Sequence, residues 1–458
     1  MADTQSTEGQ LKRELSKTDI LALSFGAMIG WSWVAIAGDW IGRGGSLGAG
    51  IAFVFGGLAT LLIALTYAEL ASAMPQAGGE HVYTERALGH GWSFIVTWSI
   101  IFAYVGVAAF ESLAIATVAE HFWPSIKTGF LWHIGGHDVF AGSVAVGMAT
   151  TALITLLNIR GIRMAAIFQV LATILIIIGG AVLVTGTSLT GDVANAEPLF
   201  VGGIAGVAGV LVMVPAMLIG FDVIPQSAEE INLPFRDIGR VLIFSVACAV
   251  LWYMLIVYGV SFSLDDAGRQ APGITTALAA ERAWNSKTAG DLLVLAGLGG
   301  ILTSWNAFVI GGSRALYALA RAGHLPRRMG HLHPKYNTPW VAVGLIGLIC
   351  FLSPLLGRQA LIWIIDATGI AIVFAYGMVS WSFLKLRKIE PDMDRPYRVK
   401  HGRIVGWAAV AMSVFMMTLY LPGSPAALIW PWEWGMLAGW ATLGLVLYLM
   451  ARFKTPAR

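Results

Sequence analysis

The feature that most constrains this sequence is a succession of apolar runs, each long enough to cross a lipid bilayer. A spanning helix needs about 20 apolar residues, because the hydrocarbon core is roughly 30 Å thick. By that criterion the chain contains about twelve spans. We predict them at 19–41, 47–72, 92–118, 138–158, 163–187, 204–227, 239–262, 289–313, 339–356, 360–384, 404–421 and 430–451. The expected fold class is therefore an all-α polytopic membrane protein.

Composition and motifs exclude several other classes of protein. Charged residues make up 12% of the chain and apolar residues 57%, whereas soluble domains carry roughly 25% charged residues. No HExxH, nucleophile-elbow or Walker motif is present, so we expect no enzyme, no cofactor and no metal centre. The basic run 385–403 suits anionic lipid rather than nucleic acid.

Basic residues predict the orientation of the chain. Of the 29 Lys and Arg residues, 23 fall on the side of the termini if the span count is even. The other six are Arg43, Lys127, Arg269, Arg282, Lys287 and Arg358. Since cytoplasmic loops are enriched in Lys and Arg, both tails, 1–18 and 452–458, are expected in the cytoplasm. The predicted location is a cell membrane, of the bacterial inner-membrane type.

Two of the predicted spans are interrupted near mid-membrane. The first contains Gly30, and the sixth contains Pro215 and Gly220. Broken backbone survives in a bilayer only where protein or a water-filled cavity satisfies it. Five spans separate the two breaks, so 19–187 and 204–384 would form inverted repeats. Breaks at matching positions in such repeats are typical of a secondary-transporter binding site, and 404–451 would add two further spans.

Four motifs in order resemble the amino acid-polyamine-organocation transporter family along nearly the whole chain. They lie at 67–89 (YAEL, MPQAGG and ALG), 219–238 (IGFD, AEEINLP and RDI), 313–326 (SRALYALARAG and LP) and 386–397 (LR, EP and RPY). The resemblance implies a leucine-transporter-like fold, with broken spans 1 and 6 in a five-plus-five inverted repeat. It does not identify a substrate.

The resemblance also implies a substrate site beside the two breaks. Its expected residues are Met28, Ile29, Gly30, Trp31, Ser32, Trp33, Gly220, Phe221, Asp222, Val223 and Phe308. The family's usual Gly-small-Gly motif in the first span is replaced here by Gly-Trp-Ser. The two Trp rings offer faces to a cationic amine, or they pack against neighbouring helices.

A charged residue inside a membrane-spanning apolar run costs free energy, so such residues are candidates for a function. Glu111 is the predicted proton-coupling or amine-binding carboxyl group. Asp222 is expected to meet a substrate amine, to gate the site or to cap the following half-helix. Asp366 is expected to be structural. Glu69, Glu229 and Glu230, near span ends, are expected to be structural or part of an inner gate.

The coupling ion stays open at this point, between a proton and sodium. Some family members carry a fifth-span Lys in place of sodium, but Ile176 stands at the matching position and that span has no central Lys. A sodium-type site would use carbonyl oxygens of the first span and the hydroxyl groups of Thr303 and Ser304.

The sequence therefore predicts a secondary active transporter of an amino acid or related small amine, working by alternating access. A precursor–product exchanger and a sodium-coupled symporter are alternatives within transport. A non-transporting receptor or a channel is the alternative from another class. The expected partners are a small-molecule substrate and the lipid bilayer, and the oligomeric state is left open.

Overall fold

The computed structural model describes residues 11–271, 273–424 and 427–453. Its α-helices are α1 (Lys17–Met28), α2 (Ser32–Ala35), α3 (Ala37–Gly44), α4 (Ser46–Ala73), α5 (Glu80–Leu88), α6 (His90–Phe122), α7 (Ala141–Ile159), α8 (Ile162–Thr190), α9 (Gly203–Leu211), α10 (Val214–Met217), α11 (Val223–Gln226), α12 (Phe235–Ser263), α13 (Asp266–Arg269), α14 (Thr275–Trp284), α15 (Lys287–Arg321), α16 (Trp340–Leu352), α17 (Gly357–Ile389), α18 (Gly402–Thr418) and α19 (Trp432–Phe453). Short 3₁₀ turns lie at Pro124–Ile126, Val193–Ala196, Ala228–Glu230, Arg327–Gly330 and Ser353–Leu356.

The helices confirm an all-α polytopic membrane protein. Within the described ranges, eight helical stretches are long and apolar enough to cross a bilayer, and shorter apolar helices accompany them. Helix α8 has lipid-facing character, since Leu171, Ile174 and Ile177 are exposed. Most helices begin and end close to the predicted span limits, but α15 continues to Arg321, beyond the predicted limit of 313. The count of twelve spans and the inverted repeat stay predictions.

Two helices form the centre of the bundle. Helices α6 and α15 are the most thoroughly buried of the long apolar helices in the described chain. They pack against each other, and α15 also contacts α1 and α8. Because Gly299 and Gly300 of α15 lie against the backbone of α8 and of the segment after α1, these helices approach more closely than larger side chains would allow.

One strand pair interrupts the helical pattern. Strands β1 (Phe130–Ile134) and β2 (His137–Phe140) form an antiparallel hairpin between α6 and α7. The predicted start of the fourth span, at 138, lies inside this hairpin and is wrong, because the helix begins at Ala141. We call the end of the bundle that carries the hairpin the hairpin face.

Ion pairs hold together the opposite end of the bundle, which we call the terminal face because the chain enters it at Leu15, beside Ile231. Glu69 accepts hydrogen bonds from Arg387 at 2.9 Å and lies 3.1 Å from Arg395. Arg314 pairs with Glu230 at 2.7 and 3.0 Å, and both side chains are fully buried. Glu69 and Glu230 therefore link distant parts of the chain at this face.

We expect Arg314→Gln to destabilise the protein strongly, because it leaves the buried Glu230 carboxylate without its partner. Removing one member of a buried pair costs about 3–5 kcal/mol. The control is Arg240→Gln, which removes an exposed pair with Asp237 and should cost about 0–1 kcal/mol. Melting temperatures of the purified proteins in detergent measure both effects. An equal fall in melting temperature in the two variants would show that the buried Arg314–Glu230 pair has no special importance for stability.

Candidate functional site

The two broken segments touch each other at their breaks. In the first, α1 ends at Met28 and helix resumes at Ser32. In the second, α10 ends at Met217 and α11 begins at Val223. Gly220 has φ +125°, and a methyl group on it would lie 2.6 Å from the Ala27 side chain. Only glycine combines this backbone conformation with so close an approach.

Tyr253 of α12 serves both breaks. Its hydroxyl group lies 2.9 Å from the carbonyl oxygen of Met28 and 3.3 Å from that of Met217, and it donates to either one. The Ser32 hydroxyl group lies 3.1 Å from the hydroxyl oxygen of Tyr253. Carbonyl groups that a helix end leaves unpaired must find other donors. Tyr253 therefore compensates for the interruption of both segments.

Asp222 holds the second break in shape. One carboxylate oxygen accepts the Gly220 backbone N–H at 3.0 Å and the Tyr376 hydroxyl group at 3.2 Å. The other accepts from the Tyr104 hydroxyl group. Asp222 occupies the N-cap position of α11 but makes no side-chain capping bond, so the capping option raised from the sequence is wrong. The carboxylate ties the break to α6 and α17 instead.

A cavity of about 460 Å³ lies beside the breaks, within the size range of small-molecule sites. Its wall is largely apolar and includes Val107, Phe110, Ala216, Met217 and Ile219. Towards the hairpin face the lining residues are Arg43, Asp366 and Glu433. The cavity thus runs from the breaks towards one face of the bundle.

Glu111 presents a carboxyl group to this cavity. One oxygen accepts a hydrogen bond from Ser304 Oγ at 2.5 Å. A methyl group on Gly30 would lie 2.9 Å from the same oxygen, which places the carboxyl group directly against the first break. The other oxygen, Oε2, is buried and has no hydrogen-bond partner among the described residues. Glu111 therefore retains one acceptor for a proton or a ligand.

The proposed sodium ligands are already engaged in hydrogen bonds. The Thr303 hydroxyl group donates to the Gly300 carbonyl at 3.1 Å, and Ser304 donates to Glu111. Between α1 and α15 lies the amide of Gln169, which donates to the carbonyl oxygens of Ala22 and Thr303 at 3.3 and 3.1 Å. A neutral amide donor thus occupies the space between the first segment and α15.

The predicted substrate residues divide into two groups by position. Those lining the cavity are Met28, Gly30, Trp31, Ser32 and Phe308. Those lying outside its lining are Ile29, Trp33, Gly220, Phe221, Asp222 and Val223. Trp33 packs edge-on against Trp252, and Phe221 against Tyr67. Whether any of these residues contacts a substrate stays a prediction.

Trp31 fits beside the cavity because a glycine faces it. A methyl group on Gly297 of α15 would lie 2.5 Å from the Trp31 ring. The large residue in place of the family's usual small one is thus matched by a small residue on the neighbouring helix. The remaining part of Trp31 lines the cavity and narrows it next to the first break.

Four residues that hold the breaks and the neighbouring helices in place were not predicted from the sequence: Tyr253, Tyr104, Tyr376 and Gln169. The tyrosines sit in apolar runs where they resemble ordinary packing residues. Gln169 carried a signal, because an amide inside a long apolar run needs polar partners. Its Oε1 accepts from Asn306 at 2.7 Å, which completes a buried amide network.

The terminal-face side of the breaks is closed. Helix α5 lies between two predicted spans, and its Glu80 is fully buried and accepts a hydrogen bond from Gln226 at the end of α11. Burial, followed by the nearby Asp222, raises the pKa of Glu80 well above its ordinary value. The closed arrangement therefore favours the protonated carboxyl group at this position.

Two touching broken helices beside a cavity, with a buried carboxyl group in its wall, are typical of a membrane transporter. A family model described as amino acid permease matches residues 15–445. The chain belongs to the amino acid permease family.

Relatives with assigned names cover most of the chain. A branched-chain amino acid permease of Bacillus subtilis (strain 168) is 29% identical, with 97% of this chain and 94% of the relative aligned. A methylthioribose transporter of the same organism is 25% identical, with 97% and 95% aligned. Cationic amino acid transporter 7, chloroplastic, of Arabidopsis thaliana is 27% identical, with 85% and 68% aligned.

We expect Tyr253→Phe to destabilise the protein by about 1–3 kcal/mol, because buried carbonyl groups lose their donor. The matched control is Tyr258→Phe on the same helix, whose hydroxyl group is at the surface beside Ser188. Melting temperatures in detergent compare the two variants. An equal, small effect of both would show that the breaks do not depend on Tyr253.

We expect Glu80→Gln to stabilise the protein at neutral pH but not in acid. A carboxyl group with a raised folded-state pKa loses stabilising free energy as pH rises above its unfolded value of about 4.3. Glutamine resembles the protonated form at every pH. The melting-temperature gain over wild type should vanish near the unfolded pKa and grow towards neutrality. The half-buried Glu229→Gln is the control, and a gain independent of pH would contradict the interpretation.

Proposed function

We propose that this protein is a proton-coupled secondary active transporter of an amino acid or related small amine. The observation that carries the proposal is Glu111, which lines the cavity beside the first break and has one carboxylate oxygen without a hydrogen-bond partner among the described residues. A carboxyl group there can exchange a proton while the cavity holds a substrate. Alternating access to the two sides would couple the two events.

The cavity supports a small substrate with an apolar part. Phe110, Met217 and Phe308 supply apolar wall, and Ser32 and Ser304 supply hydroxyl groups. Glu111 offers a partner for a substrate amine. The names of the relatives agree with this class, since they include branched-chain and cationic amino acids, although methylthioribose also occurs among them.

The environment of Gln169 supports a proton rather than sodium as the coupling ion. Sodium requires several oxygen ligands, which would come from carbonyl oxygens of the first span and from the hydroxyl groups of Thr303 and Ser304. The amide N–H groups of Gln169 already donate to carbonyl oxygens there. A cation in the same space would meet the positive end of that amide dipole. We therefore favour proton coupling over the sodium alternative.

We place the protein in a cell membrane with both termini in the cytoplasm. The support is the distribution of Lys and Arg, since 23 of the 29 lie in the tails and in loops on the same side of the predicted membrane as the tails. Such loops are typically cytoplasmic. In this orientation the hairpin face is extracellular. The described structure then has its cavity directed outwards and its cytoplasmic side closed by α5 and α11.

We expect a pH gradient to drive substrate uptake into proteoliposomes by the wild-type protein in sodium-free buffer. A screen of amino acids and amines by thermal shift first identifies the substrate. Glu111→Gln should abolish the response to the gradient, because glutamine cannot release a proton. The control is Glu120→Gln on the same helix, which binds Ser143 and Lys127 away from the cavity.

Several outcomes would overturn parts of the proposal. Uptake that requires sodium would reject proton coupling. An uptake rate that is independent of the pH gradient but rises when substrate is present inside the vesicles would identify an exchanger. Binding without movement would indicate a receptor, and ionic conductance without counterflow would indicate a channel.

A further inference from the structure

A cluster of metal-ligand residues lies on the terminal face, away from the cavity. His81 and Glu85 are one turn apart on α5, and His324 follows the end of α15. One candidate ligand atom from each of the three lies within 4.8 Å of the others. His81 and His324 are buried, and Glu85 is partly exposed. Two imidazoles and a carboxylate are a common ligand set for zinc.

Neighbouring groups orient this cluster. Ser93 Oγ lies 2.5 Å from His81 Nδ1, so the other ring nitrogen, Nε2, faces Glu85 at 3.0 Å. The second Glu85 oxygen lies 3.0 Å from His90 Nδ1. The His90 ring in turn stacks on His324, with ring centroids 3.7 Å apart. Groups that fix the orientation of ligating side chains are typical of metal sites.

We propose that His81, Glu85 and His324 bind a divalent transition-metal ion such as Zn²⁺. With metal–ligand bonds of about 2.0–2.1 Å, tetrahedral ligand atoms lie about 3.3 Å apart. Since the candidate ligand atoms all lie within 4.8 Å of one another, they need to approach by at most about 1.5 Å on binding. Glu85 is partly exposed, so water from the terminal face can supply the fourth ligand.

The position of the site gives metal binding a structural consequence. The start of α5 is already attached to the second broken segment, since the Gly78 N–H donates to the Gln226 carbonyl at 3.2 Å. A metal ion would attach the same helix to the end of α15 as well. Helix α5 would then be fixed to both elements, and in the transport cycle proposed above the terminal face opens only when one of these attachments breaks. Bound metal therefore holds this face closed.

The test measures zinc binding by isothermal titration calorimetry on the purified full-length protein, after treatment with a chelator. We expect one Zn²⁺ per chain and at least a tenfold loss of affinity in His81→Gln and His324→Gln. Because both histidines are buried, the half-exposed Glu85→Gln is a third variant that leaves the packing intact. Exposed His401→Gln, outside the cluster, is the control and should bind as wild type does.

Cobalt(II) substitution and hydrogen exchange give readouts independent of transport. Bound cobalt should show the visible absorption of a tetrahedral site, and zinc should slow exchange in the peptide covering 78–90. Undiminished zinc affinity in all three cluster variants would overturn the proposal. So would the absence of stoichiometric binding by the wild type, which would leave Glu85 as a hydrogen-bond acceptor for the two imidazoles of α5 and α6.

Discussion

An unpaired carbonyl or N–H group inside a membrane protein costs free energy. In this structure the two broken helices leave such groups, and side chains from neighbouring helices supply their hydrogen bonds. Tyr253 supplies a donor to both breaks, and Asp222 supplies an acceptor to the second. Their own positions are fixed by α12, α6 and α17. A site that looks local to two short breaks therefore depends on helices drawn from most of the chain.

The fold was largely predictable because its causes are local in sequence. Runs of apolar residues predict helices that must face lipid, and Gly30 and Gly220 predict the breaks. Glu111 was predictable because an acid in an apolar run has few structural explanations. The donor to the breaks was not predictable, since Tyr253 acts on the carbonyl groups of Met28 and Met217, which belong to other segments of the chain. Gln169 indicated a need for polar partners, but not that one of them is the carbonyl group of Thr303 on α15. The hairpin was not predicted, although Gly135-Gly136 between its strands is a typical two-residue turn, because the apolar run that starts at 138 was assigned to a span.

The two faces of the bundle differ in how far they are closed. On the terminal face, Glu80 meets Gln226, and Glu230 meets Arg314, all of them buried. On the hairpin face the cavity is lined by Arg43 and Asp366 instead of being sealed. Opening the terminal face would require charged and polar groups to exchange protein partners for water. That exchange makes the closed state sensitive to protonation and to the ions present at that face.

The contact between Gly220 and Ala27 has a mechanical consequence. A methyl group has no space between the two segments, so neither can slide or rotate appreciably past the other without a clash. The pair is thus expected to travel as one rigid body while the surrounding helices rearrange. A substrate held against it would keep the same nearest neighbours throughout the cycle. The intrinsic affinity for that substrate would then be similar from either side of the membrane.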